Sequence, residues 1–312
     1  MKEITLTVKT ITPTLMGGAF SQNDGIRPSE IKAIMRFAFR LVAGKYIEHN
    51  KEGLIKLKEK ESLIFGSTNQ KSIFSLIVKN QSLDIKKIAL LPHKNGFKNK
   101  RDMISPNSKF DLKIQVKRPI NKDISIQESL DFFKALLNVA SLIGIGYRKN
   151  RFNGNLELEK FSLSEEVEKI DNICKALFNE SEKDIDVPLF PVLAKKPKKV
   201  YKVFSIPLKK PFRQSLNYEE FLKKVYENVI HEIESKSDYS CLLGSAKKRQ
   251  GSLINFSIYN NKIFIFSFFY KDKNCFGRFN EDKDKFYKNW QKGTEEVIEK
   301  LKDNFGVKNE NR

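Results

Sequence analysis

A strand pattern followed by a helix, two more strands and a second helix occurs once before residue 160 and again after residue 200. That repeated order restricts the chain more than any other feature. Residues 2–10 alternate Ile4, Leu6 and Val8 with Thr5, Thr7 and Lys9, the period of a half-buried strand. Pro28 opens a helix in which Ile31, Ile34, Met35, Ala38, Leu41 and Val42 recur at helical spacing. Residues 63–66 and 72–78 read as two strands joined by a polar turn at 67–70, residues 80–109 as a basic insertion or protruding loop, and residues 110–116 as a further strand. The stretch 128–143 predicts a helix with a broad apolar face, and 155–161 alternates once more. After the midpoint, 200–208 is a strand and 218–234 a helix. A hairpin, 253–259 with 263–270, turns at Asn260-Asn261, and 285–304 is a closing helix. The pattern predicts an α+β chain of two tandem ferredoxin-like units with antiparallel sheets.

Charge is distributed unevenly. Of the net +20, residues 1–155 carry 28 basic and 13 acidic side chains, a surplus of +15, whereas residues 156–190 carry 4 and 10. Pro188, Pro191 and the lysine run 195–199 follow this acidic stretch, a composition expected of an exposed connection. The boundary is therefore placed near 188–199, giving units 1–187 and 188–312. A cationic surplus fits an anionic polymer, because neutralising phosphates releases counterions; a lysine-rich solvated surface is the bland alternative. No apolar run reaches the ~20 residues of a membrane helix, and the N-terminus leads straight into a strand, so a cytoplasmic location and no membrane partner are expected. Cys174, Cys241 and Cys275 are odd in number and far apart, which supports neither a disulfide framework nor a cysteine zinc site; no metal or cofactor is expected.

Three clusters carry candidate contacts. Lys32, Arg36 and Arg40 recur every fourth residue along one helix stripe, where like charges repel and an anion lying across them would compensate. Gly17, Gly18 and Arg27 precede that helix, and glycine backbone can approach phosphate closely. The second cluster, 144–154, holds Gly144, Gly146 and Gly154 with Tyr147, Arg148, Lys149, Arg151 and Phe152, combining phosphate-binding cations with rings that could stack on an unpaired base. A plain basic turn is its alternative. The third, weaker cluster is Lys247, Lys248 and Arg249 between Gly244 and Gly251. There is no phosphate-binding loop of the nucleotidase type, and His49, His93 and His231 are isolated, although a single histidine can serve as the general base of a ribonuclease.

The opening Thr12-Pro13-x-x-x-Gly17-Gly18, the Arg27-Pro28-Ser29-x-Ile31-Lys32-x-x-x-Arg36-Phe37 helix start and Leu63-Ile64-Phe65-Gly66-Ser67 together resemble the RAMP superfamily of CRISPR-associated proteins, and within it the first subunit of type III-B effector complexes. Members often carry paired tryptophans where this chain has Ala38-Phe39. The resemblance implies a non-catalytic subunit that contacts the 3′ region of a guide RNA, helps capture target RNA and assembles with other effector subunits. It implies RNA contacts from the stripe and the glycine loop, with Phe39 at the stacking position. Target-cleaving aspartates belong to another subunit of such complexes. The rival expectation is a metal-independent guide-processing endoribonuclease with His49 as base.

Overall fold

The computed structural model describes residues 1–17, 24–89, 100–147, 149, 151–209, 218–236, 242–243, 252–271 and 283–307. In the first half, β1 (Lys2–Thr10) leads to α1 (Pro28–Ala43) and α2 (Lys51–Phe65), then β2 (Phe74–Ser82), the hairpin β3 (Ile85–Ala89) and β4 (Lys100–Ile104), β5 (Lys109–Val116), α3 (Ile126–Ile143) and β6 (Leu156–Glu157). The four-stranded sheet has the order β2-β5-β1-β6, all pairs antiparallel, with β1 and β5 in register from Lys2↔Val116 to Lys9↔Lys109. Period-two burial of Leu6 and Val8 on β1 and of Phe110, Leu112, Ile114 and Val116 on β5 turns one sheet face toward the helices. The opposite face is polar. Glu3 pairs with Lys113, and Asp111 accepts from Thr7 and Asn80.

Local chemistry explains the helix ends. Pro28 occupies the first turn of α1. The Asn50 side chain caps α2 by accepting from Gly53 N at 2.9 Å, and Ser125 with Glu128 forms a capping box on α3. α4 (Leu163–Phe178) follows β6 and buries Ile170, Cys174 and Leu177.

The second half comprises β7 (Tyr201–Pro207), α5 (Tyr218–Val225), which continues through a π-helical turn (Tyr226–Ile230) into α6 (His231–Ser235), then β8 (Ile254–Tyr259), β9 (Lys262–Phe268) and α7 (Lys283–Phe305). Its sheet order is β7-β9-β8, antiparallel. Asn260 and Asn261, at φ 47° and 56°, make the tight turn expected of them. Trp290 of α7 is fully buried and donates to Ser267 Oγ at 2.8 Å.

Four sequence expectations change. Residues 63–65 complete α2, with Gly66 as its C-cap, instead of forming a strand with it; Leu63-Ile64-Phe65 is too short an apolar run to distinguish the two periods. The basic insertion contains the β3–β4 hairpin. The strand expected over 155–161 is confined to Leu156–Glu157. The connection over 188–199 is a packed strap: Val192 and Ala194 are buried, and Leu193 N donates to Leu41 O at 2.8 Å. Among the described residues, no helix is long and apolar enough to cross a membrane.

Candidate nucleic-acid interface

The glycine loop is built on the segment that follows β1. Tyr147 N donates to Leu15 O at 3.0 Å, Gly154 N to Pro13 O at 3.0 Å, and Ile145 N to Gly154 O at 2.9 Å. Gly154 has φ 73°, and a Cβ there would lie 1.9 Å from Ile145 O; at Gly146, φ 76°, it would lie 2.4 Å from Leu15 O. Gly144 caps α3 by donating to Ala140 O at 2.9 Å. These three glycines therefore serve close approach of backbone to backbone within the loop, where the sequence reading assigned them approach to phosphate. Gly17 packs under the Tyr147 ring, since a Cβ would fall 2.5 Å from Tyr147 Cε2, and its carbonyl accepts from Arg27 at 2.7 Å. The product of this packing is Tyr147, 63% exposed, held out on a fixed backbone.

Arg27 also reaches Glu30 at 2.8 Å. Lys149 places its ammonium 5.7 Å from the Phe37 ring centroid. Its burial there pushes its pKa below the ordinary lysine value, with Glu30 opposing the shift. Arg151 turns inward, donating to Leu243 O and lying 5.8 Å from the Phe256 ring, so it joins the two halves instead of facing solvent as a phosphate ligand. Phe152 is buried against Phe221 and Phe256.

The α1 stripe forms one wall of a cleft of about 670 Å³, whose other wall is α2 and the turn beyond it, with Lys58, Ser67, Thr68 and Gln70. The anion expected to lie across the stripe is in part internal. Glu61, 4% exposed, accepts from Arg36 Nη1 at 3.0 Å and from Arg40 Nη2 at 2.9 Å. Arg36 further donates to the Phe65 and Gly66 carbonyls at 3.3 and 2.8 Å, closing the C-terminus of α2. Arg36 is thus mainly a brace, whereas Arg40 remains half exposed. Hydrogen bonding to Glu61 holds the Arg40 pKa above its ordinary value. Lys32 lies 5.1 Å from the Phe74 ring centroid. Burial, then the neighbouring Arg36 and Lys117 charges, lower its pKa. Among the described residues, neither Lys32 nor Lys58 has a carboxylate within ion-pair distance.

Phe39 departs from its expected role. It is 0% exposed, at ring-centroid distances of 5.9 Å from Phe65 and 6.4 Å from Phe132, and cannot present a face to a base. Its spacing from Met35, Ile31 and Val42 puts it on the buried side of α1. Gly18, Arg148 and the cluster Lys247, Lys248 and Arg249 lie outside the described residues. Lys58 and Glu61 were missed by sequence reasoning; the Lys-Glu repeat of 56–61 resembles any solvated helix face. His49 is fully engaged: Nδ1 accepts from Leu189 N at 2.9 Å, Nε2 lies 3.2 Å from Gly44 O, and the ring stacks near Phe190. Burial lowers its pKa.

Comparison with known proteins finds relatives of this chain. The sequence pattern of the RAMP superfamily matches residues 7–157. Over 87 residues, 28% of this chain, the sequence is 38% identical to the CRISPR system Cmr subunit Cmr1-2 of Pyrococcus furiosus, and the match spans 44% of that protein's length. In fold, the apo crystal structure of Cmr1 from Pyrococcus furiosus aligns with a TM-score of 0.57 at 18% identity, covering 87% of this chain and 89% of that one. A chain of the type III-B Cmr-beta assembly, solved bound to cognate target RNA, AMPPnP and in the presence of ssDNA, aligns with a TM-score of 0.51 at 14% identity, covering 95% and 98%. Residues 7–157 thus match the RAMP superfamily, and over most of its length the chain has a fold similar to that of the Pyrococcus furiosus Cmr1 structure.

Proposed function

We propose that this chain is a non-catalytic RNA-binding subunit of a cytoplasmic type III-B CRISPR ribonucleoprotein, which contacts the 3′ region of the guide RNA and helps capture target RNA in antiviral defence. Its two halves are read as ferredoxin-like units, the second lacking a fourth strand among the described residues. The observation that carries the proposal is the α1–α2 cleft. Among the described residues Lys32 and Lys58 stand there without carboxylate partners, Arg40 is half exposed, and the rim offers the Ser67 and Thr68 hydroxyls. Such a cleft suits the phosphates of a single strand. The open face of the first sheet, by contrast, is a self-paired polar network with no aromatic among its β1 and β5 positions, so base stacking across the sheet has no support.

His49 favours the non-catalytic reading, because a base must have a nitrogen free to take a proton and both of its nitrogens are committed to backbone. The test is fluorescence anisotropy with single-stranded guide RNA over a salt series. Lys32→Ala and Lys58→Ala should each weaken binding and flatten the slope of log K against log salt by about 0.7. Unchanged slopes would remove the cleft from the RNA path. Metal-free cleavage of repeat RNA that disappears in His49→Ala would replace the proposal with the endoribonuclease reading.

A further inference from the structure

Beside the basic cleft lies a smaller groove, of about 320 Å³, with a different lining. Phe37 of α1, Leu54 and Leu57 of α2 and Phe190 of the strap give it an apolar surface. It shares Arg40, Lys58 and Glu61 with the cleft, so the two adjoin along one wall. Three elements fix this lining. Leu54, Leu57, Lys58 and Glu61 recur at helical spacing and occupy one side of α2. The strap is tied to α1 by the hydrogen bond from Leu193 N to Leu41 O, and Gly44 leaves room for its ring, since a Cβ there would lie 2.9 Å from Phe190 Cε2. Phe37 carries the Lys149 ammonium over its ring.

Two observations say what the groove takes. The first is exposure of the wrong kind: Leu57 is 5% exposed, but Leu54, one turn earlier, is 38% exposed, and the Phe37 and Phe190 rings are only partly buried. The second is charge. Arg40 is half exposed, and Lys58 has no carboxylate within ion-pair distance among the described residues. Glu61, the one acid of the lining, is already engaged by Arg36 and Arg40. An occupant that meets both must present a flat apolar face to the groove and negative charge to the cleft beside it. A nucleotide does so, with its base against the rings and its phosphate on the cations. A neutral apolar ligand would leave the cations uncompensated.

We propose that this groove is a nucleobase pocket: a strand whose phosphates follow Lys32, Lys58 and Arg40 turns one unpaired base into it, against Phe37, Leu54 and Phe190. The inference rests on the RNA-binding reading, and the experiment separates the two. Anisotropy on the full chain compares a single-stranded RNA dodecamer with an abasic dodecamer of the same charge. The wild type should bind the base-bearing strand about tenfold more tightly. Leu54→Asn, at a partly exposed position and without change of charge, should reduce that preference to about threefold or less while leaving the salt slope as it was. Phe190→Leu should do the same. In the wild type the Leu54 methyl resonances should move upfield on titration with the base-bearing strand and stay in place with the abasic one. A preference of wild-type size in both variants, or methyls that respond equally to both strands, would overturn the pocket and leave the phosphate track intact. Methyls that respond to an acidic, leucine-bearing peptide and to neither strand would make the groove a protein-docking site instead. Lys32→Ala and Lys58→Ala that alter the binding of neither strand would overturn the RNA reading itself, and the pocket with it.

Discussion

Replacing Glu61 with glutamine should move stability and RNA affinity in opposite directions. The carboxylate is the internal counter-charge of Arg36 and Arg40, and glutamine keeps one acceptor oxygen but no charge. Removing one partner of a fully buried ion pair costs about 3–5 kcal/mol. Here Arg36 is 32% and Arg40 48% exposed, so water recovers part of that loss, and Arg36 retains the Phe65 and Gly66 carbonyls. The expected cost is about 1–2 kcal/mol, a fall in Tm of about 2–5 °C. The cleft meanwhile changes from four cations against one carboxylate to four against none, from +3 to +4. Arg40, released from Glu61, can take a phosphate. RNA binding should tighten about twofold to fivefold, with the salt slope steeper by about 0.7. Thermal melts and anisotropy on the same preparation read both effects. A variant that melts lower but binds RNA with unchanged or weaker affinity would refute the reasoning, because the freed guanidinium would then not face the nucleic acid.

Tyr147→Ala should leave the Tm within about 2 °C, since the ring is mostly exposed, yet weaken single-stranded RNA by about 1–3 kcal/mol if a base stacks there; equal binding by anisotropy would exclude stacking. Gly154→Ala forces a Cβ onto Ile145 O at a positive φ and should cost more than about 2 kcal/mol in urea denaturation, an effect that a loop without this packing would not show. His49→Ala should destabilise by about 1–3 kcal/mol by orphaning Leu189 N while leaving RNA affinity intact. The folded-state pKa of His49 lies below its unfolded value, so the unfolded chain binds more protons between the two. Stability should therefore fall as pH drops from about 6.5 toward the lowered folded value, and this component of the pH dependence should vanish in His49→Ala.

The elements legible in sequence are those whose pattern is local. The alternation of β1, the Pro28 start and apolar stripe of α1, the apolar face of α3 and the Asn260-Asn261 turn all follow from spacing within one segment. What escaped is long-range. Glu61 meets Arg36 and Arg40 across more than twenty residues, so the stripe read as an uncompensated row of charge. Arg151 read as a phosphate ligand because its partner, the Leu243 carbonyl, is 92 residues away. The strap at 188–199 has the composition of a solvated connection, but its alternate apolar residues, Val192 and Ala194, meet a surface visible only after folding. Phe39 is a different case: the resemblance put it at the stacking position, although its helical spacing from Ile31 and Met35 is that of a core residue, which it is.

Phe152 bears on how the molecule unfolds. It occupies φ 62° inside the glycine loop, its amide donates to Phe256 O at 3.2 Å, and its ring stacks on Phe256 of β8 and meets Phe221 of α5 edge-on. Tyr218 of α5 adds a hydrogen bond to Asn153 Oδ1 at 2.8 Å, and Ile258 N donates to Asn155 Oδ1 at 3.2 Å. The loop that displays Tyr147 therefore rests on side chains from the other end of the sequence. These contacts join two halves distinct in pattern, and ligand binding at the loop should protect amides of β8 from hydrogen exchange as it protects its own. By the same reciprocity, a packing defect at Phe256 should be felt at the glycine loop that displays Tyr147.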